Sequence, residues 1–493
     1  MRLSELLCSA GVDAERYGRD VSVRGVCDDS RRCGRDDCFV AVRGVHVDGH
    51  AYVADAIRAG STAVVCEDPA GVPKGVAYAT VADTAAAAGR LAQAALDWPC
   101  RKLTCIAVTG TNGKSTVTHL IRSVLQSAGH APGLLGTITY ETGRRIVPAG
   151  TTTPGAVELA ALTEEMRAVG RTHLVMEASS HALHQRRTDG IEFDVGVFTN
   201  LSGDHLDYHG TMENYLAAKR RLFESLGDSA TAVLNRDDPY SEALAAATAA
   251  RVVWYGLSPA SDVRARIERI DAAGAQFALS DGEGEATART PLIGRHNVLN
   301  CLAAAGACVT LGVPLAQVAA AIEQVERVPG RLERVAAQAP FDVFVDYAHT
   351  DDALRNVLSS LRPITRGRIL VAFGCGGDRD RTKRPRMGAT AADLADVVVV
   401  TSDNPRSERP EAIIEEILSG IDESGRAKTR VEPDRREAIS LALREAREGD
   451  VVLIAGKGHE SYQDIGGKRI PFVDAEVAAE QLRTLDELNG GPA

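Results

Sequence analysis

The most concentrated chemistry in this chain lies where a lysine and two hydroxyl residues follow a short glycine-containing turn, in IAVTGTNGKSTVTHLI. A buried strand ending near Val108 would lead through the turn at 110–113 into a helix that begins at Lys114. Backbone N–H groups at the start of such a helix bind phosphate, and Lys114 would reach phosphate oxygens while Ser115 or Thr116 bound Mg²⁺. The common loop spacing has a glycine where this chain has Val108, so the loop is a variant. An ordinary strand–turn–helix corner with a surface lysine is the alternative interpretation.

Polar side chains also cluster where several strand-like runs end. THLVMEASSH and DVGVFTNLSGDHLDYHG do so in the middle of the chain, and RILVAFGCGGDRD, DVVVVTSDNPRSE and DVVLIAGKGHE do so near its C-terminus. Ligands of open α/β sheets bind outside the carboxyl ends of the strands, so each set of loops predicts one crevice. Glu177 and His205 are candidate metal ligands in the first crevice, although each alone is more often a hydrogen-bonded loop residue.

A lysine interrupts the apolar stripe of one predicted helix, TMENYLAAKRRLFESL. Tyr215, Leu222 and Phe223 have helical spacing, and Lys219 falls on the same face. Burial would lower the pKa of Lys219, and its neutral amine would react with CO₂ to give a carbamate, which is a metal-binding carboxylate. A lysine that snorkels out at the edge of the stripe is the alternative.

The elements that would position these residues alternate along the whole chain. Short β-branched runs alternate with Ala- and Leu-rich helical patterns, which predicts an α/β protein with parallel sheets. A length of 493 residues exceeds a single core and suggests about three domains. Breaks at LDWPCRKLTC and QVERVPGRLERV predict domains at 1–99, 100–328 and 329–493.

Composition excludes several classes of function. A net charge of −11 argues against nucleic acid as a partner, because a phosphate backbone calls for a basic face. No apolar run approaches the length of a membrane span, and no signal peptide is evident at the N-terminus. The ten cysteines include no C-x-x-C pair, which is typical of reduced thiols in a cytoplasmic protein.

Together the motifs resemble those of the Mur ligases, the enzymes that assemble peptidoglycan precursors. The resemblance is specific because many motifs appear in family order over nearly the whole chain. They are GTNGKST, MEASSHAL, TNLSGDHLDYHGTMENYLAAKRRLF, GRHNVLN, PGRLERV, VDYAHT, GCGGDRD, DNPR and GKGHE.

The resemblance implies a fold and a reaction. A UDP-sugar-binding α/β domain would occupy 1–99, a central parallel-sheet ATPase domain of P-loop type 100–328, and a Rossmann-like amino-acid-binding domain 329–493. The reaction would be ATP-dependent addition of meso-diaminopimelate to the D-glutamate γ-carboxylate of a UDP-muramoyl dipeptide, through an acyl phosphate. ATP, two Mg²⁺ ions and a CO₂-derived carbamate on Lys219 would take part, in a monomer with small-molecule partners only.

The resemblance also assigns roles to individual residues. Catalysis and metal binding would fall on Lys114, Ser115, Glu177, His205 and Lys219, the last as N6-carboxylysine. Further contacts to ATP would come from Gly110, Thr111, Asn112, Gly113, Thr116, Asn297, Arg331 and Asp346. The muramoyl dipeptide would be bound by Ser30, Thr152, Thr153, Ser179, Gln185 and Arg187. Diaminopimelate would be bound by Arg379, Asp403, Asn404, Pro405, Arg406, Gly456 and Glu460.

Chemistry explains the DNPR motif. Diaminopimelate differs from lysine by a distal carboxylate, which a planar bidentate donor such as Arg406 recognises better than a lysine does. Asn404 can add a hydrogen bond, and Glu460 can accept one from the distal ammonium, beside the Gly456 carbonyl. A helix N-cap with a solvated arginine is the alternative reading of DNPR. Arg379 is a weaker candidate because other arginines lie near it in sequence.

Three other functions stay open at this stage. They are the same ligation with L-lysine, a ligase of the folylpolyglutamate synthetase type, and a non-catalytic scaffold that binds ATP. No base for the attacking amine can be read from the sequence, although His349 and His209 are candidates.

Overall fold

The structure, a computed structural model, describes residues 1–45, 47–325, 327–335 and 339–488, with the side chains of 486–488 left aside. Strands and helices alternate throughout these residues and form three separate main sheets. The predicted α/β fold class is confirmed.

The N-terminal domain is a five-stranded sheet in the order β1-β5-β4-β3-β2, parallel except for the edge strand β1. Its strands are β1 Glu15–Tyr17, β2 Gly25–Cys27, β3 Asp37–Val40, β4 Ala63–Cys66 and β5 Ala77–Thr80. Its helices are α1 Leu3–Ala10, α2 Val53–Ala59 and α3 Thr84–Ala95.

The central domain is an eleven-stranded sheet in the order β16-β15-β14-β13-β12-β11-β6-β10-β7-β8-β9. Its middle is parallel, and antiparallel strands extend both ends. The strands are β6 Thr104–Thr109, β7 Pro132–Leu135, β8 Thr139–Glu141, β9 Ile146–Pro148, β10 His173–Glu177, β11 Val195–Phe198, β12 Thr231–Asn235, β13 Arg251–Gly256, β14 Val263–Asp271, β15 Gly274–Ser280 and β16 Glu285–Thr290. The helices are α4 Lys114–Ser127, α5 Ala156–Ala168, α6 Ser180–His184, α7 Leu206–His209, α8 Met212–Glu224, α9 Ser241–Ala245, α10 Arg295–Thr310 and α11 Leu315–Glu323.

The C-terminal domain is a six-stranded sheet in the order β17-β18-β22-β19-β20-β21, parallel except for β17, with a separate hairpin of β23 and β24. The strands are β17 Glu333–Arg334, β18 Asp342–Asp346, β19 Ile369–Phe373, β20 Val397–Val400, β21 Thr429–Val431, β22 Val451–Ala455, β23 Tyr462–Ile465 and β24 Lys468–Pro471. The helices are α12 Asp351–Leu361, α13 Lys383–Leu394, α14 Pro410–Leu418, α15 Glu423–Ala427, α16 Arg435–Glu445 and α17 Asp474–Leu488.

Both large parallel sheets are buried on two faces, which explains why their strands read as continuous apolar runs. In β6, Cys105 and Ala107 face one apolar core while Ile106 and Val108 face the other. The strand order reverses around β6, between β10 and β11. The loops after these three strands therefore meet at one edge, where ligands of such sheets bind.

The N-terminal and central domains share a continuous apolar core that runs from α1 and α3 to α5. Gly89 on α3 marks the closest approach, because a Cβ atom there would collide with the carbonyl oxygen of Asp189. The first domain is therefore packed closely on the second.

Among the helices that the structure describes, none has the length and apolar character needed to cross a membrane.

Candidate active site

The turn between β6 and α4 forms a compact loop held against its neighbours. Gly110 and Gly113 have φ values of 146° and 88°, and a Cβ atom at either would collide with the side chain of Thr199 or Asn300. No side chain caps the N-terminus of α4. The first N–H groups of this helix, which have no acceptor within it, are thus available to an anion.

A cavity of about 490 Å³ opens in front of this loop, between the central and C-terminal domains. Fourteen predicted site residues line it, from both domains. They are Thr111, Asn112, Gly113, Lys114, Ser115, Thr116, Thr152, Glu177, Ser179, His205, Lys219, Asn297, Arg331 and Asp346.

Two lysines meet beneath the loop. Lys114 Nζ donates to the carbonyl oxygens of Gly110 and Thr111, at 2.9 and 2.8 Å. Lys219 Nζ donates to the same Gly110 oxygen at 2.8 Å. Burial lowers the pKa of Lys114, although Glu177 opposes this effect.

The apolar stripe predicted for α8 is present, and Lys219 lies on it. Tyr215, Leu222 and Phe223 are buried, as is Lys219, of which only 1% is exposed. Burial lowers the pKa of Lys219 well below its usual value, and the charge of Lys114 lowers it further. The lysine does not snorkel to solvent, so its amine has the environment that carbamate formation needs.

Glu177 and His205 border the cavity on either side of the loop. Glu177 ends β10, and its two carboxylate oxygens accept from the N–H and hydroxyl of Thr137, both at 2.9 Å. His205 precedes α7 with φ 54°, a left-handed conformation that costs energy in a non-glycine residue and is frequent at functional sites. Burial lowers its pKa to about 3, which leaves the imidazole neutral and able to ligate a metal at pH 7.

The donor set suits a magnesium ion shared with a substrate better than a metal cage. No group of three or more His, Cys, Asp or Glu side chains within the described residues is placed to hold a metal. Mg²⁺ is commonly bound by one or two carboxylates together with substrate phosphates. Glu177, His205 and the Ser115 hydroxyl at the cavity wall fit that incomplete set.

Arg331 connects the C-terminal domain to the phosphate loop. Its Nη2 donates to the Ser115 hydroxyl at 2.9 Å, and its guanidinium lies over the Tyr347 ring, 4.7 Å from the centroid. Its Nε is buried without a hydrogen-bond partner among the described residues. The charge of Arg331 acts on Lys114, and an orphaned guanidinium N–H near a half-buried lysine is the arrangement expected where a phosphate binds.

Asp346 and Asn297 lie in the walls of the cavity. The Asp346 carboxylate accepts from the backbone N–H groups of Leu332 and Ala348, so it fixes the segment that carries Arg331. The Asn297 amide donates to the carbonyl of Ile293 at the start of α10. Both residues, which are predicted to contact ATP, therefore line the cavity. Their side chains already form hydrogen bonds within the protein.

Five of the residues predicted to bind the dipeptide form one hydrogen-bonded group. The Thr153 hydroxyl donates to the Glu177 carbonyl at 2.8 Å and accepts from the Ser179 N–H at 3.0 Å. Arg187 donates to the carbonyl of Thr153 at 3.1 Å and to Gln185 Oε1 at 2.6 Å. Thr152 joins the group through Thr137, whose hydroxyl also binds Glu177.

Ser30 stands apart from that group. It lies in the turn that follows β2 in the N-terminal domain. Over the described residues, no hydrogen bond joins it to the five other dipeptide candidates, so the structure does not bring all six together.

The residues predicted for diaminopimelate lie on loops after β19, β20 and β22, which are neighbours in the third sheet. Arg406, with φ 51°, donates to the Gly377 carbonyl at 2.7 Å. Pro405 packs so closely on Gly377 that a Cβ atom there would collide with it. Asn404 Nδ2 donates to Glu460 Oε2 at 2.6 Å.

Asp403 and Gly456 lie at the base of the same edge. Burial raises the pKa of Asp403, although Lys457 opposes this effect. Gly456 has φ 112°, and a Cβ atom there would lie 3.3 Å from Asp403 Oδ2. The chain passes close to Asp403 only because position 456 is glycine.

Arg379 differs from its neighbouring arginines in its hydrogen-bond partners. Arg381 binds Glu416, and the fully buried Arg384 binds Glu408 and Glu416. Arg379 donates only to the carbonyl of Asp378, at 2.9 Å, within the described residues. Its guanidinium is therefore the one of the three that remains available for a ligand carboxylate.

Comparison with known proteins accounts for these features. Three family models match in order: "Mur ligase family, catalytic domain" over 22–96, "Mur ligase middle domain" over 108–308, and "Mur ligase, glutamate ligase domain" over 330–458. The UDP-N-acetylmuramoyl-L-alanyl-D-glutamate–2,6-diaminopimelate ligase of Gloeobacter violaceus is 46% identical over 98% of both chains. The chain belongs to the Mur ligase family.

Solved structures agree with this assignment. A structure of a UDP-N-acetylmuramoyl-L-alanyl-D-glutamate–2,6-diaminopimelate ligase is 34% identical, with a TM-score of 0.67 over 94% of this chain and 95% of that one. A folylpolyglutamate synthase of Mycobacterium tuberculosis shares the fold at 22% identity, with a TM-score of 0.62 over 80% of this chain and 93% of that one. That second likeness is one of fold alone.

Two residues of this Mur ligase escaped the sequence predictions. Asp352 of α12 accepts from Asn112 at 3.1 Å and from Ser202 at 2.7 Å, which ties the C-terminal domain to the phosphate loop. Lys457 lies fully buried between Asn404 and Glu460. For Lys457 the sequence contains a signal, because this lysine comes directly after the apolar run VVLIAG. For Asp352 it contains none, because the segment TDD is typical of an exposed surface.

Proposed function

We propose that this Mur ligase joins meso-diaminopimelate to the D-glutamate γ-carboxylate of UDP-N-acetylmuramoyl-L-alanyl-D-glutamate, with cleavage of ATP to ADP and phosphate. It is an ATP-dependent, amide-forming ligase of peptidoglycan precursor synthesis. The observation that carries the proposal is the 46% identity to a ligase of that name over 98% of both chains.

The reaction has two steps, and its atoms balance. A γ-carboxylate oxygen attacks the ATP γ-phosphorus, giving an acyl phosphate and ADP. The diaminopimelate amine then attacks the acyl carbon, so an amide forms, phosphate leaves and one proton is released. Both steps crowd anions together, and positioning with charge neutralisation supplies most of the catalysis in phosphoryl transfer.

Cations of this chain are placed for that neutralisation. Lys114 and the N–H groups at the start of α4 would bind the ATP phosphates from one side of the cavity. Arg331 would bind them from the other, through the unpartnered Nε and the Nη2 that now contacts Ser115. Asp346 would keep Arg331 in place, and Asn297 would meet the adenine.

Two Mg²⁺ ions bound here would neutralise phosphate charge and align the reacting oxygens. Ser115 would hold the ion at the loop. Glu177, His205 and a carbamate on Lys219 would hold the ion nearer the γ-phosphate. Burial of the Lys219 amine, with its lowered pKa, supports the carbamate.

The dipeptide would lie over the hydrogen-bonded group that begins at Thr152 and Thr153. Arg187 and Gln185 orient each other, and Arg187 has a guanidinium suited to a substrate carboxylate or phosphate. This group is bonded to the backbone of Glu177, so the γ-carboxylate would be delivered beside the metal ligand. Ser30 would contact the uridine at the far end of the substrate.

Diaminopimelate would bind between the loops after β19, β20 and β22. Arg406 and Arg379 would bind its distal carboxylate, and Glu460 would accept from its distal ammonium beside the Gly456 carbonyl. Asp403, Asn404 and Pro405 would shape the loop. This donor set supports diaminopimelate over lysine, because lysine has no second carboxylate to bind.

His349 is the better of the two candidate bases for the attacking amine. Burial lowers the pKa of both His349 and His209 to about 4, so each is neutral at pH 7. His349 lines the cavity, whereas His209 Nε2 is engaged with the Ser180 hydroxyl at 3.0 Å.

The domain limits that we propose are 1–99, 100–328 and 329–493. The three family matches, which end at 96 and 308 and resume at 108 and 330, support these limits. We further propose, as the family resemblance implies, that the enzyme is a cytoplasmic monomer.

Phosphate release tests the proposal. The purified protein would receive ATP, Mg²⁺ and UDP-N-acetylmuramoyl-L-alanyl-D-glutamate, with meso-diaminopimelate in one reaction and L-lysine in another. We expect release that depends on the dipeptide and on diaminopimelate. Phosphate release that occurs with lysine but not with diaminopimelate would contradict diaminopimelate as the substrate. No release in either reaction would contradict the ligase activity.

A further inference from the structure

Lys457 lies inside the amino-acid end of the site, with no solvent exposure. Its Nζ is 2.9 Å from Glu460 Oε2, 3.2 Å from Asn404 Oδ1 and 3.7 Å from Asp403 Oδ1. A single ammonium group thus contacts three residues assigned to diaminopimelate.

These contacts form a closed network. Glu460 Oε2 accepts from both Lys457 and Asn404, and Asn404 Oδ1 also accepts from the Asp464 N–H at 2.9 Å. The amide of Asn404 and one oxygen of Glu460 are therefore engaged within the chain. The second oxygen of Glu460 accepts no hydrogen bond from the residues that the structure describes, which leaves it for a substrate ammonium.

The charge of Lys457 keeps this arrangement together. Asp403 and Glu460 are two carboxylates facing one buried site, and Asp403 Oδ1 has no hydrogen-bond partner among the described residues. Like charges in a buried site repel, and one of them would turn away or take up a proton. The ammonium between them offsets this repulsion, and it lowers the pKa of both carboxyl groups against the effect of burial.

We propose that Lys457 is the positioning residue of the diaminopimelate pocket. It acts through Glu460 and Asn404, which it holds so that Glu460 presents its free oxygen to the distal ammonium of the substrate. This inference rests on the proposed function, since it assumes that diaminopimelate binds at Glu460.

A KM comparison tests the proposal in the full-length enzyme. Lys457→Met should raise the KM for diaminopimelate by at least about tenfold, because a buried partner loses its hydrogen bond. The KM values for ATP and for the dipeptide, and kcat, should change by less than about twofold. The matched control is Arg368→Met, which breaks a 2.7 Å ion pair with Asp450 at the amino ends of β19 and β22, away from the loops that follow these strands.

Equal increases in all three KM values, or a similar effect of Arg368→Met, would show a general structural role and overturn the proposal. The wild-type enzyme separates the two claims. If it shows no turnover with diaminopimelate, the proposed function fails. If it turns over and Lys457→Met keeps a normal KM, only this inference fails.

A second comparison tests the coupling between Lys457 and Glu460, and it also serves where Lys457→Met alone is unstable. Glu460→Gln removes the carboxylate of one of the two groups through which Lys457 acts, so adding Lys457→Met to it should change the KM for diaminopimelate by less than about threefold. Compared with Lys457→Met alone, the double variant has one fewer buried carboxylate that lacks a counter-charge. A further rise of tenfold or more would mean that Lys457 acts independently of Glu460 and would overturn the proposal.

Discussion

Lys114 and Lys219 donate hydrogen bonds to the same carbonyl oxygen, that of Gly110, at 2.9 and 2.8 Å. Two ammonium groups this close in a buried site cannot both stay charged at low cost. Burial lowers the pKa of Lys219 well below its usual value and the charge of Lys114 lowers it further, so Lys219 is the easier of the two to deprotonate.

This pairing gives the carbamate a physical reason. In the proposed carbamate, a neutral Lys219 amine and CO₂ would form an N–C bond with release of one proton, so a carboxylate would replace a neutral amine. The carboxylate would then attract the Lys114 ammonium. A carbamate on Lys219 would also reach farther from α8 than Asp or Glu would, towards the cavity in which we propose that the phosphates bind.

Replacement of Lys219 tests the carbamate. Lys219→Ala should lower kcat by at least about 100-fold, because a metal ligand is lost. A short carboxylate added to the reaction should restore part of the rate by filling the space left on α8. With ¹³C-bicarbonate, the wild type should show a carbamate NMR signal that the variant lacks. Full activity of Lys219→Ala without any added carboxylate would remove the carbamate from the mechanism.

The contact between Arg331 and Ser115 predicts how the C-terminal domain serves ATP. Arg331→Ala should raise the KM for ATP by about 10- to 100-fold, because a buried charge-assisted contact to phosphate is lost. Steady-state kinetics at saturating dipeptide and diaminopimelate would measure it. Arg327→Ala is the matched control, since Arg327 is exposed and pairs with Glu333 on the same segment. Equal effects of both variants would place Arg331 outside the ATP site.

The position of Arg406 predicts a selective loss of amino-acid binding. Arg406→Ala should raise the KM for diaminopimelate by about 10- to 100-fold, because binding loses the free energy of a hydrogen bond between charged groups. The KM for ATP should stay nearly constant. Arg409→Ala changes an exposed arginine on the same loop and should have little effect. A comparable rise in the KM for ATP would exclude Arg406 from the amino-acid pocket.

Glu408 predicts a pH-dependent contribution to stability. Hydrogen bonds from Arg384 lower the pKa of Glu408 to about 2, compared with about 4.3 in an unfolded chain. A lowered carboxylate pKa stabilises the fold above the unfolded value, and that stability is lost as the pH falls towards the folded value. The apparent Tm of Glu408→Gln should therefore lie about 2–6 °C below that of the wild type at pH 7 and approach it near pH 2–3. A difference that is constant across this range would contradict the assignment.

Local patterns in the sequence predicted the elements that carry the site better than they predicted its contacts. The glycine turn before Lys114 and the helical stripe around Lys219 each lie within one short segment, where spacing alone determines what faces the core. Both features are present as predicted. The carboxyl-end rule for parallel sheets likewise predicted that the loops after β10 and β11 meet.

Contacts between segments that are distant in sequence could not be predicted from local patterns. Arg331 and Ser115 are separated by 216 residues, and Asp352 and Asn112 by 240, so no local spacing relates them. Lys457 was overlooked for another reason. The family resemblance predicts ligand contacts for its neighbours Gly456 and Glu460, whereas the role that we propose for Lys457 depends partly on Asn404, which lies on another loop.

A competition experiment tests the central claim most directly. The enzyme would receive ATP, Mg²⁺ and UDP-N-acetylmuramoyl-L-alanyl-D-glutamate with equal concentrations of meso-diaminopimelate and L-lysine, and mass spectrometry would identify the nucleotide product. The predicted result is a UDP-muramoyl tripeptide that contains diaminopimelate almost exclusively. A product that contains mainly lysine, or none with either amino acid, would contradict the account.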